Sequence, residues 1–223
     1  LPVTNYLGPV SLSITNYAVL DTETEQLITN SSGSVLIPPT PQAYSHDANG
    51  NLLSDGLWVR TWNAENRMTR VESAAGVPAH ARKREDWTYL PDGRWIERIV
   101  WTNNGSGYFQ AYTNRYVWDG KVLLAVLDHT NGLIMSFMRG LDLSGSVQGV
   151  QGAGGVGGVL AVHFAPSNLH PSPSSHFVSY DGNGNVVALT DAATGDASAV
   201  FEYGPFGELL RATGPMAKVN PIR

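Results

Sequence analysis

Reversal signals punctuate this chain so often that few windows are long enough for a helix. Asn-Gly and Asp-Gly pairs, with 24 Gly and 13 Pro spread along 223 residues, interrupt runs rich in Val, Thr, Tyr, Trp and Ile. Strand-forming runs separated by tight reversals dictate antiparallel hairpins. One piece of turn chemistry even occurs twice, as SHDANGNLLSD (Ser45–Asp55) and SYDGNGNVVALTD (Ser179–Asp191). A stretch reused in this way is expected to be one structural unit employed several times.

Five reversals stand out. They are Asp47–Asn51 with Asn49 and Gly50, Pro91–Gly93 with Asp92, Trp118–Gly120 with Asp119, Thr130–Gly132 with Asn131, and Asp181–Asn185 with Gly182, Asn183 and Gly184. A two-residue type I′ turn needs positive φ at both central residues, which Asn and Gly tolerate, so each pair is expected to form one. Around them strands are expected at 11–20, 34–37, 42–46, 51–54, 57–63, 67–73, 84–90, 95–101, 111–118, 121–128, 133–139, 177–180, 186–190, 199–203 and 208–212. Aromatic residues fall just before the turns: Tyr44, Tyr89, Tyr116 with Trp118, Tyr180 and Tyr203. Units that cannot bury a face alone must stack on their neighbours, which predicts a ribbon of hairpins.

The chain divides into N-terminal strands over 1–41, hairpins over 42–143, an insertion over 144–176 and further hairpins over 177–223. The insertion begins with the uncharged, low-complexity run GSVQGVQGAGGVGGVL and continues into a Pro/Ser-rich loop, so it is expected to leave the ribbon as a surface excursion.

Charge and composition exclude several functions. The net charge of −5 is dispersed, with one basic cluster at Ala81–Glu85, which argues against nucleic-acid partners. With no cysteine, disulfides and thiolate metal sites are excluded. No run of about 18 apolar residues is present and no basic region precedes an apolar core, so neither a membrane span nor a signal peptide is expected. The missing initiator Met and the ending at Asn-Pro-Ile-Arg read as a piece cut from a longer protein.

Short repeats with Tyr-Asp and a following Gly turn, ending in YGPFGELLRATG (Tyr203–Gly214), resemble the bacterial Rhs or YD-repeat proteins near their C-terminal core region. HDANGNLLSDGLW, WNAENRMTRV, GLDLSGSVQG and YDGNGNVVALTD look like segments of the same family, so the resemblance covers Gln42–Arg223. It implies an all-β, antiparallel β-hairpin strip, a curved or spiral sheet of the Rhs shell type with a Gly-rich insertion. Such shells enclose a C-terminal toxic segment in secreted polymorphic toxins. The expected partners are therefore the remainder of a parent protein and an enclosed effector, at a secreted or cell-surface location. The sequence stops before the Asp-Pro-containing segment where the family cleaves itself and no toxin domain follows, so cleavage and toxicity are carried over to no residue here. Exposed strand edges at Leu1 and at Pro221–Arg223 would permit self-association.

Motifs for chemistry are weak. Gly152–Gly157 matches GxGxxG, but the chain reaches Pro166 before a dinucleotide-binding helix could form. Asp47-x-Asn49-x-Asn51 and Asp181-x-Asn183-x-Asn185 open like calcium loops yet lack the sixth-position Gly and twelfth-position Glu. The six histidines (46, 80, 129, 163, 170 and 176) show no zinc-pair spacing. Ser146 sits one position early for a nucleophile elbow. The expectation is a structural protein with no enzymatic activity, cofactor or metal. The alternative is a cell-surface module in which the Trp87, Tyr89, Trp95 and Trp101 cluster, with Arg94 and Arg98, binds a carbohydrate or protein. Cross-strand pairing is the preferred explanation of that cluster.

Overall fold

A computed structural model describes residues 7–21, 26–147, 152–166 and 171–221. The chain forms two compact units, one ending at Thr113 and the next beginning at Asn114. The first opens with β1 (Val10–Asp21) and β2 (Gln26–Ile37), a two-stranded antiparallel ladder paired without a slip from Val10 opposite Ile37 to Asp21 opposite Gln26. It continues with β3 (Ser45–His46), β4 (Leu52–Ser54), β5 (Trp58–Trp62), β6 (Met68–Ser73), a 3₁₀ turn at Ala79–Ala81, β7 (Lys83–Tyr89) and β8 (Trp95–Asn103). β9 (Tyr108–Asp119) contains the boundary. The second unit holds β10 (Val122–Leu127), β11 (Leu133–Arg139), β12 (Val159–Phe164), β13 (Ser174–Tyr180), β14 (Val186–Asp191), β15 (Ala197–Tyr203) and β16 (Leu209–Thr213).

From β3 to β16 the strands lie in strict chain order in one sheet, with β3 and β16 at its two ends, so the sheet does not close into a barrel. The fold is therefore all-β and antiparallel, as the hairpin signals require. Of the expected edges at Leu1 and at Pro221–Arg223, only Pro221 is among the described residues, and it lies in no strand; among those described, the sheet ends at β3 and β16.

The turns differ from expectation in an instructive way. Loops starting at Asp47, Asn63, Leu90, Asp128, Asp142, Asp181 and Gly204 share one pattern: the first residue's N–H donates to the fifth residue's carbonyl and the fourth residue's N–H to the first residue's carbonyl, at 2.8–3.1 Å. The fourth residue is always left-handed, with φ between 58° and 93° at Gly50, Asn66, Gly93, Asn131, Gly145, Gly184 and Gly207. Asn49 and Asn183 do not share that conformation. These are type I turns closed by a left-handed bulge residue rather than type I′ turns. The extra residue slips the ladder beside each hairpin loop, as at Thr61/Trp62, Thr88/Tyr89, Ser179/Tyr180 and Glu202/Tyr203. Only the β9–β10 connection is a two-residue reversal among the expected turns: Asp119 ends β9 opposite Val122, and Gly120 alone has positive φ (55°), which fits type II′.

The reading of 144–176 as an excursion from the ribbon misses β12, which pairs with both β11 and β13. Its Val159, Val162 and Phe164 are buried at the centre of the second unit's core with Phe137, Leu189, Phe201 and Met216. The run VLAVHF is apolar at five of its six positions and carries no clean alternation to distinguish it from the glycine-rich stretch before it. Residues 148–151 and 167–170, including His170, lie outside the described part. β2 is also longer than the expected 34–37, because its polar first half pairs with β1 through its backbone.

Gly184 shows why the bulge position is restricted. Its φ is +85°, and a Cβ there would lie 2.5 Å from Val156 Cγ1, whereas a Cβ on Gly182 would meet nothing within 4 Å. Gly184→Ala should lower stability by about 1–3 kcal/mol, while Gly182→Ala stays within about 0.5 kcal/mol. Urea denaturation midpoints of the two variants check this; equal midpoints would contradict the assigned strain.

Candidate functional site

The repeated feature that joins one hairpin to the next is the residue immediately before the loop. Trp62 Nε1–H donates to the Leu52 carbonyl (3.0 Å), Tyr89 O–H to the Met68 carbonyl (2.7 Å) and Tyr203 O–H to the Val186 carbonyl (2.9 Å). In each case the acceptor is the first residue of the strand that follows the preceding loop of the series. Tyr180 makes the same reach across β13 to β12, donating to the Val159 carbonyl (2.9 Å) and accepting the Val159 N–H (3.1 Å). The clasp needs a long planar side chain with a polar tip, which is what Tyr and Trp supply. It satisfies backbone groups that the bulge takes out of the ladder.

Five of the loops are held by the side chain of their first residue, at Asp47, Asn63, Asp128, Asp142 and Asp181. Asp47 Oδ1 accepts the N–H groups of Asn49 and Asn51, both at 2.9 Å, and Oδ2 accepts Asn51 Nδ2 at 2.8 Å. Asp181 repeats this with Asn183 and Asn185 at 2.9, 2.9 and 2.8 Å. Asp128 accepts from Thr130 N, Thr130 Oγ1 and Gly132 N at 2.7–2.8 Å. There Asn131 takes the left-handed position and Gly132 leaves room for the carboxylate, since a Cβ would lie 2.9 Å from Asp128 Oδ2. Asn63 does the same work with its amide oxygen, accepting from Glu65 N and Arg67 N at 3.0 Å each. The two Asp-x-Asn-x-Asn stretches thus turn their carboxylates onto N–H donors, as Asx turns do.

Asp142 is the most heavily engaged of these acids. It is buried and accepts from Ser144 N (2.9 Å), Ser144 Oγ (2.6 Å), Ser146 N (3.0 Å) and Gly155 N (3.1 Å). The last bond folds the glycine-rich run back onto the loop, where Val156 also accepts the Leu143 N–H at 3.0 Å. Gly152–Gly157 is therefore a packed turn, followed directly by β12 with no helix.

Within the first unit, adjacent loops are also tied to one another. Asn49 Nδ2 and Asn51 Nδ2 donate to Asn66 Oδ1 at 3.1 and 2.8 Å, and Arg67 donates to the Leu90 and Pro91 carbonyls at 3.0 and 2.8 Å. At the Leu90 loop, Asp92 lies inside the turn and pairs with Arg94, and Gly93 takes the left-handed position.

Of the expected aromatics, Tyr89, Tyr180 and Tyr203 are clasps. Tyr116 and Trp118 lie in β9 opposite Val126 and Leu123, and Tyr116 packs on the second core. Tyr44 precedes β3 and is 61% exposed; His46 occupies the position before the loop. Trp62 and the Asn63 loop were missed because Asn66 replaces Gly there, although Asn three positions after Asn is a readable signal.

Carboxyl groups of the loops are held below their ordinary range. The side-chain donors Asn51, Asn185, Thr130 and Ser144 are the main causes at Asp47, Asp181, Asp128 and Asp142, with backbone N–H groups adding to each. A folded-state value below the unfolded one gives stability that is fully present above the unfolded pKa of about 3.9 and is lost as pH falls through the folded value. Thermal midpoints should be flat between about pH 5 and 8 and fall steeply below about pH 4; a midpoint unchanged at pH 3 would contradict the loop assignment. Tyr180→Phe should cost about 1–3 kcal/mol, because it strips both polar groups of Val159 of a partner, against about 0.5–1.5 kcal/mol for Tyr203→Phe. Denaturant titration of the two variants, with amide exchange at Val159, measures this.

No family model matches the chain, and no curated protein matches it. Solved structures do. The fold is similar to that of the crystal structure of TcdB2-TccC3, with a TM-score of 0.51 and 16% identity over 80% of this chain and 8% of that one. It is similar also to the crystal structure of TcdB2-TccC3-Cdc42, with a TM-score of 0.50 and 14% identity over 95% of this chain and 11% of that one. The chain thus spans 8% to 11% of the length of the proteins it matches, and at this identity what they share is the fold.

Proposed function

We propose that this chain is a structural wall segment of a larger Rhs-type protein, whose strip of hairpins encloses or presents a C-terminal effector. The observation that carries the reading is the clasp: at Trp62, Tyr89, Tyr180 and Tyr203 a hairpin is bonded backwards to its predecessor, within a sheet whose strands follow chain order. A wall built in this way occupies strand edges with neighbouring strands and leaves few for proteases or other chains. Fold likeness to much longer TcdB2-TccC3 chains supports the scaffold reading. The partners in this reading are the rest of the parent protein and its effector, and the place of action is outside the producing cell.

The wall acts without catalysis of its own. His176 and Ser198 form a 2.8 Å contact, but they are 2% and 7% exposed, and the other ring nitrogen of His176 is held by Ser174 Oγ at 2.7 Å. Ser198 Oγ donates to the Leu189 carbonyl at 3.0 Å, so this hydroxyl is engaged with the backbone.

In the parent protein, limited proteolysis should spare the segment downstream of this chain, and Gly184→Val should expose it. Digestion of the downstream segment at equal rates in both would overturn enclosure. The alternative of a glycan-binding surface centres on Trp95, which is 44% exposed on β8. Glycan-array binding that disappears in Trp95→Ala with an unchanged circular dichroism spectrum would establish it in place of the wall.

A further inference from the structure

Four Asn-Gly pairs lie in the loops of this chain: Asn49-Gly50, Asn104-Gly105, Asn131-Gly132 and Asn183-Gly184. Such a pair has a chemistry of its own. The glycine backbone nitrogen attacks the Asn Cγ, since no Cβ hinders its approach, and the side-chain nitrogen leaves as ammonia. A cyclic imide remains, which water opens to Asp or to isoaspartate. In three of the pairs the fold ties down the attacking nitrogen. Gly50 and Gly184 N–H donate to the Asp47 and Asp181 carbonyls at 3.1 Å each, and Gly132 N–H donates to the Asp128 carboxylate at 2.8 Å. A carboxylate acceptor opposes loss of that proton, and a backbone carbonyl inside a closed turn does not rotate away. Two of the carboxamides are also drawn elsewhere: Asn49 Nδ2 donates to Asn66 Oδ1 at 3.1 Å, and Asn131 Oδ1 accepts from Arg115 Nη1 at 2.8 Å. At the third, Val156 and Leu143 crowd Gly184 and fix its turn.

Asn104-Gly105, in the loop between β8 and β9, is held differently. Its carboxamide folds over its own loop, with Oδ1 accepting the Ser106 and Gly107 N–H groups at 3.0 and 3.2 Å. The first of these bonds closes an Asx ring that contains the Gly105 nitrogen, so attacked carbon and attacking nitrogen share one small loop. The same two N–H groups face the oxygen on which negative charge develops during attack, as the donors of an oxyanion hole do. Gly105 N–H donates to Asn103 Oδ1 at 2.8 Å, a neutral acceptor on a side chain that can rotate. Asn104 and the three residues after it are exposed, and a Cβ on Gly105 would meet nothing within 4 Å. Water and hydroxide therefore reach the pair.

We propose that Asn104 is the residue at which this chain deamidates, while the bulge loops shield Asn49, Asn131 and Asn183. Gly105 N gives its proton to hydroxide and bonds to Asn104 Cγ. The charge carried on Oδ1 then returns to expel Nδ2, which takes a proton from water and leaves as ammonia. Water adds to the imide and opens it. The Asp product still accepts from Ser106 and Gly107 and preserves the loop, whereas isoaspartate lengthens the backbone by a methylene and breaks the turn between β8 and β9. The inference is independent of the wall function.

Mass-spectrometric peptide mapping of the whole chain, incubated at neutral pH and sampled over weeks, tests this. In the folded chain Asn104 should convert at least about tenfold faster than Asn49, Asn131 or Asn183. In concentrated guanidinium chloride the tethers are gone, and the four rates should come within about threefold of one another. Asn103→Ala frees the Gly105 N–H and should speed conversion of Asn104 several-fold, with an unchanged circular dichroism spectrum. Another pair converting as fast as Asn104 in the folded chain overturns the proposal. So does a ranking that persists in guanidinium, which would assign the preference to local sequence. Slower conversion in folded Asn103→Ala overturns the role of that bond; if this variant does not fold, the comparison of folded and unfolded chain decides alone.

Discussion

At four of the turns the ring just before the loop reaches backwards, and this hydrogen bond ties successive hairpins into one sheet. A lone two-stranded hairpin is marginal in water because it buries too little surface to offset the ordering of its backbone. Clasps from Trp62, Tyr89, Tyr180 and Tyr203 to the neighbouring strands make the preceding hairpin part of the environment of the next. Each clasp requires the bulge, since the slipped register places the ring over the earlier strand. The bulge in turn requires a residue that tolerates the left-handed region, which confines the fourth loop position to Gly or Asn.

The polar chemistry follows from the same loop. A type I turn followed by a left-handed residue points several N–H groups toward the side chain of its first residue. Asp meets them best, as at Asp47, Asp128, Asp142 and Asp181, and Asn63 does so with a neutral oxygen. Carboxylates spent in this way order loops and are unavailable to a cation or a substrate. Elsewhere the charges are just as local. Burial opposes ionisation of Asp86, but hydrogen bonds from Arg84 and Arg70 outweigh it, and Trp101 Nε1 adds a further donor at 2.7 Å.

Much of this was legible in the residues. Alternation and Asx-Gly spacing located the hairpins, and Tyr89, Tyr180 and Tyr203 were placed before turns by position alone. The Asn-Gly pair points to the wrong turn type, because the decisive residue is the Asp two positions before the Asn. Type I turns favour Asp or Asn at the first position and Gly at the fourth, a pattern present in DANG and DGNG. β12 was hidden for a different reason. Apolar residues fall on both faces of this strand although only one is buried, so the period-two signature is lost, and the neighbouring glycines mimic a linker. The ion pairs of the first unit were not legible at all, because partners such as Arg60 with Asp55 and Arg98 with Glu85 are a property of three-dimensional register.

The two units meet the cost of an exposed sheet face differently. In the second, the chain after β16 turns at Gly214, where a Cβ would overlap the Ser198 carbonyl, and Met216 N–H bonds that carbonyl at 3.0 Å. Met216, Ala217 and Asn220 are thereby buried, and Met216 and Ala217 join the apolar core of the strands. In the first unit the row Arg60–Val71–Glu85–Val100 mixes apolar and charged residues on one face, with Arg98 closing Glu85. Charges of this kind are tolerated only where water or a partner group can reach them, because full desolvation costs more than a surface ion pair returns. Among the described residues the buried apolar side chains therefore concentrate in the second unit, while the first keeps a face of mixed apolar and ion-paired residues.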